Sequence, residues 1–381
     1  MGHISFMPAE IIHNIFLRLP INLLVYNVKY VCKRWNRILS DPYYIKSWGG
    51  DRKILLPFVP VDVCYENDTT RSMVTLSSSS PFGKLEQGKV VTFVGSCNGI
   101  VLLVIQDCLS HDPLLVKTHL VLYNPFTSEK KPIRDDLHSQ CNNSDNHVYG
   151  FGYGSSIPDD VKIVRFRGCE YSSSNRHTCD VFSPKRNSWT VLENFVQNAN
   201  YLNNVGMFAN GRLYWIANSK YNDQECKIVA LDVNKMKLLY INVPCDGLLD
   251  RYRYMSSALG TIHGCLCIVA QKNTRNENYP WNQSGNRFKM WVMTKKGVKK
   301  SWSEVSPLAL NLKSEFRYSP VSILDDGIVL IMVESFQELV IYDVMTHSHK
   351  VINVSASPSY FRRIHGIEYV ESMVSPSSFF T

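Results

Sequence analysis

A chain of 381 residues, 45% hydrophobic and 19% charged, carries enough apolar side chain for a large core, which excludes global disorder. Its net charge of +8 is small for that length, and the longest basic runs, Lys295-Lys296 and Lys299-Lys300, flank Gly297 in a turn pattern. Dense basic clusters with interleaved aromatics are missing, so nucleic acid is not the expected partner. The eleven cysteines are odd in number and scattered, no run of eighteen apolar residues occurs, and Met1-Gly2-His3-Ile4 does not open a secretion signal. The expectation is a protein of the cytosol or nucleus that uses no membrane.

In chain order, the first element is a helix. Pro8 suits a first turn, Glu10 faces the positive helix end, and Pro20 terminates the run. Ile11, Ile12, Ile15, Phe16 and Leu19 recur at helical spacing on one broad face. Asn22 can cap a second helix whose apolar set is Leu23, Leu24, Val28 and Val31, with Cys32. A third segment, Lys33 to Leu39, turns Trp35 and Ile38 inward before Asp41-Pro42 breaks it. Fifty residues cannot bury this much apolar side chain alone, so the expected head is a small all-α module with surface left for another protein.

The pattern Met7-Pro8-x-Glu10-Ile11-Ile12, then Leu17-x-Leu19-Pro20, Val31-Cys32-Lys33-x-Trp35 and Ser40-Asp41-Pro42-Tyr43 resembles an F-box over residues 1–49. The resemblance implies docking on the Skp-type linker of a Skp–cullin–F-box ubiquitin ligase, and through it on cullin and RING subunits. It would place at that interface Pro8, Ile11, Ile12, Ile15, Phe16, Leu17, Leu19 and Pro20 from the first helix. Leu23, Leu24, Val31, Cys32, Lys33, Trp35 and Leu39 would complete it.

After Asp51 the chain reads as short apolar runs separated by Gly, Asn, Asp, Ser and Pro. A turn entering a strong strand recurs at Asn98-Gly99, Asn210-Gly211, His263-Gly264 and Asp326-Gly327, with a weaker copy at Asp159-Asp160. A strand entering a short turn recurs around Tyr123, Phe182, Leu231, Trp291 and Tyr342, separated by 59, 49, 60 and 51 residues. A period near fifty built from two hairpins predicts a kelch-type β-propeller of about six blades. Ile54-Leu55-Leu56 and Met73 to Leu76 supply the sixth blade, closed by Ile364 to Val370.

The body is similar to the F-box-associated domain of plant F-box proteins, near the S-locus-like group. The likeness rests on Gly95-Ser96-Cys97-Asn98-Gly99, Tyr123-Asn124-Pro125-x-Thr127, Tyr149-Gly150-Phe151-Gly152-Tyr153, Asn210-Gly211-x-Leu213-Tyr214-Trp215, Trp291-Val292-Met293 with Ser301-Trp302, and Glu371 to Pro376. Gly154 departs from it, since Asp is usual there. The expected propeller spans 50–376, followed by a tail over 377–381.

In such blades the Asn-Gly and Asn-Pro-x-Thr turns share one face of the ring, and the long polar connections share the other. Aromatic and arginine side chains concentrate in those connections: Tyr171, Arg176, Arg251, Tyr252, Arg253, Tyr254, Tyr279, Trp281, Arg287, Arg317 and Tyr318. They form the expected surface for an unidentified protein target.

Catalytic patterns are missing. His138, Cys141 and His147 lack a fourth metal ligand at usual spacing, and Cys265 and Cys267 read as core or sheet residues of a strand. Gly150-x-Gly152-x-Gly154 is not followed by the helix a phosphate loop needs. The sequence therefore points to a non-catalytic substrate adaptor without metal or cofactor. A linker-binding protein outside ubiquitin ligation, or a propeller enzyme, would be the alternatives.

Overall fold

The computed structural model describes residues 7–19, 23–24, 27–39, 52–56, 72–75, 89–107, 117–135, 147–154, 160–167, 178–192, 199–201, 204–219, 226–243, 254–272, 288–293, 301–305, 308, 318–333, 338–353 and 366–380. Two α-helices, α1 (Ala9–Phe16) and α2 (Lys33–Leu39), belong to the head. The backbone is helical at Leu23 and Leu24, but Asn27 leaves helical values (φ −124°) and Val28–Tyr30 tightens into a 3-10 turn. The expected second helix is therefore interrupted. Ile12, Phe16, Leu24, Val28 and Leu39 close a small core, with Trp35 edge-on to Phe16 at 5.2 Å. Arg34 Nη2 donates to the Met7 carbonyl at 2.5 Å and ties the last helix to the start of the first.

The rest is a ring of six blades. Blade 1 comprises Lys89–Cys97, Ile100–Asp107, Lys117–Tyr123 and Lys130–Ile133, in that spatial order. Blade 2 comprises Val148–Tyr153, Val161–Arg167, Thr178–Ser183 and Ser188–Leu192. Blade 3 holds Met207–Ala209 and Ala199–Tyr201 beside Arg212–Ser219, then Cys226–Asp232 and Lys237–Asn242. Blade 4 (Tyr254–Ile262, Cys265–Lys272, Phe288–Met293, Trp302–Val305) and blade 5 (Tyr318–Ile323, Ile328–Val333, Glu338–Asp343, Ser348–Asn353) are joined by one parallel bridge, Gly260 to Ile323. Blade 6 closes the ring from both ends of the chain: Ile367–Val370 runs antiparallel to Arg52–Leu56, which pairs in parallel with Ser72–Thr75.

Local chemistry explains the repeat. Asn98-Gly99, Asn210-Gly211 and His263-Gly264 each hold two successive residues at positive φ, the conformation of a two-residue hairpin turn of matching twist. Third strands end in Asn124, Asp232 and Asp343, whose Oδ1 atoms accept the N–H groups two and three residues on. The outer strands of blades 2 and 3 are mostly exposed, and lysines guard such edges: Lys130 and Lys131 on blade 1 and Lys237 on blade 3.

The glycines of the Tyr149–Gly154 run serve packing between blades. A Cβ on Gly150 would lie 2.6 Å from the Trp215 ring, and one on Gly152 would lie 2.3 Å from Phe208. Trp215, fully buried, also donates its Nε1 hydrogen to the Tyr149 carbonyl at 3.1 Å. The departure at Gly154 has the same cause, because Asn234 Oδ1 fills the space a side chain would need.

The expected tail is not a tail. Pro376–Phe380 forms a 3-10 helix, and Phe379 is buried in the core shared by blades 1 and 2. The preceding segment lies so close to the first turn that a Cβ on Gly99 (φ +78°) would meet Ser372 Cβ at 2.3 Å. Gly99→Ala is expected to cost about 2–3 kcal/mol, from positive-φ strain plus this overlap, as read by urea denaturation. A midpoint equal to that of the parent protein would show the segment to be loosely held.

Candidate docking surfaces

α1 has two apolar faces, and the structure separates them. Ile12 and Phe16 point into the head's own core, whereas Ile11 and Ile15, one turn apart, are 48% and 44% exposed. Leu23 (38%), Val31 (62%) and Tyr30 (73%) add to the uncovered apolar surface. Pro8, Cys32 and Lys33 are exposed as well, and Leu17, Leu19 and Trp35 are partly buried against the core. Exposed Arg18, Lys33 and Arg37 give the head a basic character suited to an acidic partner.

This corrects part of the expected interface. Ile12, Phe16, Leu24 and Leu39 are buried inside the module and cannot meet a partner without unfolding it. Pro20 lies outside the described residues. Tyr30 was absent from the expected set, although an aromatic flanked by Lys29 and Val31 was its visible signal; Lys29 Nζ sits 5.1 Å from its ring centre.

The thiols differ sharply in access. Among the described cysteines Cys32 is exposed, and its Sγ accepts the Trp35 N–H at 3.4 Å. Burial pushes Cys97, Cys179 and Cys267 well above the ordinary thiol range and Cys226 up to about 12. Iodoacetamide at neutral pH is therefore expected to modify Cys32 well before these four, read by peptide mass spectrometry. Equal labelling of Cys32 and Cys267 would contradict the described burial.

The ring places its connections as the hairpin reading requires. Second and third strands pair down to Asp107–Lys117, Arg167–Thr178, Asn218–Cys226 and Gln271–Phe288, so these connections leave the end opposite the Asn-Gly turns. The loop residues Tyr171, Arg176, Arg251, Tyr252, Arg253, Tyr279, Trp281, Arg287 and Arg317 lie outside the described residues. Tyr254 opens the first strand of blade 4. Tyr318 is a correction: its side chain is buried in the core of blades 4 and 5, because the strand begins there and turns it inward. It supports a loop stem and is not available to a target.

A central cavity of about 1530 Å³ runs between the innermost strands. On the short-turn side it is bordered by Asn98, Gly99, Thr127 and Lys185 together with Lys29, Tyr30 and Leu39 of the head. The head thus sits at the end of the ring from which the long connections do not leave. Among the described residues no group of three or more His, Cys, Asp or Glu is placed to hold a metal ion, and no helix is long and apolar enough to cross a membrane.

A buried ionic group binds blade 2 to blade 1. Asp180, fully buried, accepts from Arg165 Nε and Nη2 at 3.1 and 3.0 Å and from Arg167 Nη2 at 2.8 Å. Arg165 also bonds Asp135 beyond the last strand of blade 1 and lies 4.3 Å from the Trp189 ring centre. Burial opposes its charge, and the Asp135 hydrogen bond with the two carboxylate charges outweighs burial and raises its pKa. Every charge in the group is paired, the mark of a structural tie.

Comparison with known proteins follows this division of the chain. A model described as the F-box associated beta propeller domain matches residues 56–376, and an F-box-like model matches residues 4–46. F-box protein At3g07870 of Arabidopsis thaliana is 26% identical over 340 residues, covering 80% of this chain and 72% of its own. F-box protein CPR1 of the same plant is 23% identical over 389 residues, covering 93% and 86%. Among solved structures, a chain of a nidogen/laminin complex aligns with TM-score 0.41 and 11% identity, covering 75% of this chain and 87% of that one.

Proposed function

Because this chain belongs to the F-box proteins that carry an F-box associated beta-propeller domain, we propose that it is the substrate-recognition adaptor of a Skp–cullin–F-box ubiquitin ligase. The head holds the Skp-type linker, and through it cullin and RING subunits; the propeller holds a protein target with its long connections. The observation that carries this reading is the uncovered apolar side chains of Ile11, Ile15, Leu23 and Val31 on a module that already has a closed core of its own. A core elsewhere satisfied has no use for them, so a partner's burial of them is the remaining source of stabilisation.

The protein contributes position and no reacting group. Holding a target beside the charged ubiquitin carrier turns an encounter between free molecules into one at high effective concentration. The work is done in the cytosol or nucleus, where the free thiols of Cys97, Cys179, Cys226 and Cys267 stay reduced.

Co-expression with a Skp-type linker, cullin and RING subunit tests the proposal. The expected result is one co-eluting assembly that transfers ubiquitin to a protein captured by the propeller. Recovery of the chain alone would reject it, and recovery with the linker but never with cullin would reject the ligase role.

A further inference from the structure

Three sequence motifs far apart in the chain, Gly95–Gly99, Tyr123–Thr127 and Glu371–Pro376, meet at one point beneath the head. Asn124 is fully buried, and its Nδ2 donates to the carbonyls of Ser372 and Val374, both at 2.8 Å. Its Oδ1 accepts from the Phe126 and Thr127 amides at 2.8 and 3.1 Å. The side chain thus grips its own turn with one end and both flanks of Met373 with the other. Ser372 Oγ accepts the Val374 N–H at 3.0 Å, spanning Met373. Downstream, Phe380 packs 6.2 Å from Phe182 and beneath Lys131, and Phe379 is buried between blades 1 and 2. Upstream, the segment continues from the ring-closing strand, with Ser96 Oγ donating to the Glu368 carbonyl at 2.7 Å.

So anchored on both sides, Met373 leaves the ring and packs on the head's core cluster of Ile12, Phe16, Leu24, Val28 and Leu39. Among the described residues it is the one ring residue in that cluster. Met373 thus gives the ring a packing contact on the head far along the chain from it. An unbranched thioether suits such a seat, since it fills an irregular gap in a core built by other residues.

We propose that Glu371–Phe380 is a splint that fixes the head to the ring, with Met373 as its positioning residue. By holding that angle it determines which surface of a bound target faces the ubiquitin carrier. The statement about the target rests on the adaptor reading above; the statement about the splint stands on the chain alone.

The test uses the full-length chain with encoded spin labels at exposed Asn14 of α1 and exposed Lys237 on the outer strand of blade 3. Pulsed electron resonance then gives the distribution of distances between them. The parent protein shows one narrow distribution, Met373→Ser widens it by about twofold or more, and Met373→Leu restores it. Met373→Ala, a milder truncation, gives the same answer should the serine variant not fold. Binding to the Skp-type linker stays within about twofold for every variant, since Ile11 and Ile15 are untouched. A narrow distribution in Met373→Ser or Met373→Ala overturns the splint and leaves the adaptor reading intact. Failure of all variants and the parent to bind the linker overturns the adaptor reading, and the distances still decide the splint.

Discussion

Replacing Ile11 and Ile15 together by aspartate is expected to abolish capture of the Skp-type linker. Both side chains are nearly half exposed, so the fold loses little when they change. At an apolar interface each would bring an unpaired carboxylate where a hydrocarbon was buried. Central interface residues of this kind cost at least about 2 kcal/mol each, so the pair should lower affinity by roughly 100-fold or more. Titration calorimetry of the double variant against the parent measures it, with thermal unfolding as the control for folding. Affinity within tenfold of the parent would remove the head's exposed face from the interface. The same substitution at Ile12 would also stop binding, but by opening the head's core, and so would decide nothing.

Asp180→Ala is expected to be the most destabilising single change in the ring. It removes the carboxylate that both Arg165 and Arg167 bond, leaving buried guanidinium charge with Asp135 alone beside it. Breaking a buried pair by deleting one partner costs about 3–5 kcal/mol, because two guanidinium charges then share the one carboxylate of Asp135. Asp180→Asn keeps an acceptor and should cost clearly less. Urea denaturation followed by tryptophan fluorescence compares the two, since Trp189 lies against Arg165 and reports the blade 1–2 junction directly. An asparagine variant as stable as the parent would mean that charge pairing contributes nothing there.

The architecture was legible from spacing because the blade is a local object. Tyr123, Phe182, Leu231, Trp291 and Tyr342 all fall in the third strand of successive blades, and the closing strand pairs with Ile54 and Leu55 as expected. Turn residues are dictated by backbone conformation within four residues, so they can be read without knowing the rest of the molecule. Which side of an apolar helix is covered is a different matter. Ile11, Ile12, Ile15 and Phe16 form one stripe by periodicity, and only the distant partners Leu24, Leu39 and Met373 decide that Ile12 and Phe16 are inside. Tyr318 was misplaced for a related reason, since composition next to Arg317 resembles a loop while strand pairing with Val333 turns the ring inward. The hold of Asn124 on Ser372 and Val374 has no local signature, because its two halves are blades apart along the chain.

The sixth blade couples two distant stretches of the polypeptide, Arg52–Leu56 hydrogen-bonding to Ile367–Val370. Arg52–Leu56 is made about three hundred residues before its partner, so during synthesis the ring stays an open arc until Ile367–Val370 emerges. A messenger cut short before Ile367 would thus yield a protein with an intact helical head on a gaping circle, able to occupy linker while offering no finished target site. Closure of the ring thus waits on the four residues Ile367–Val370.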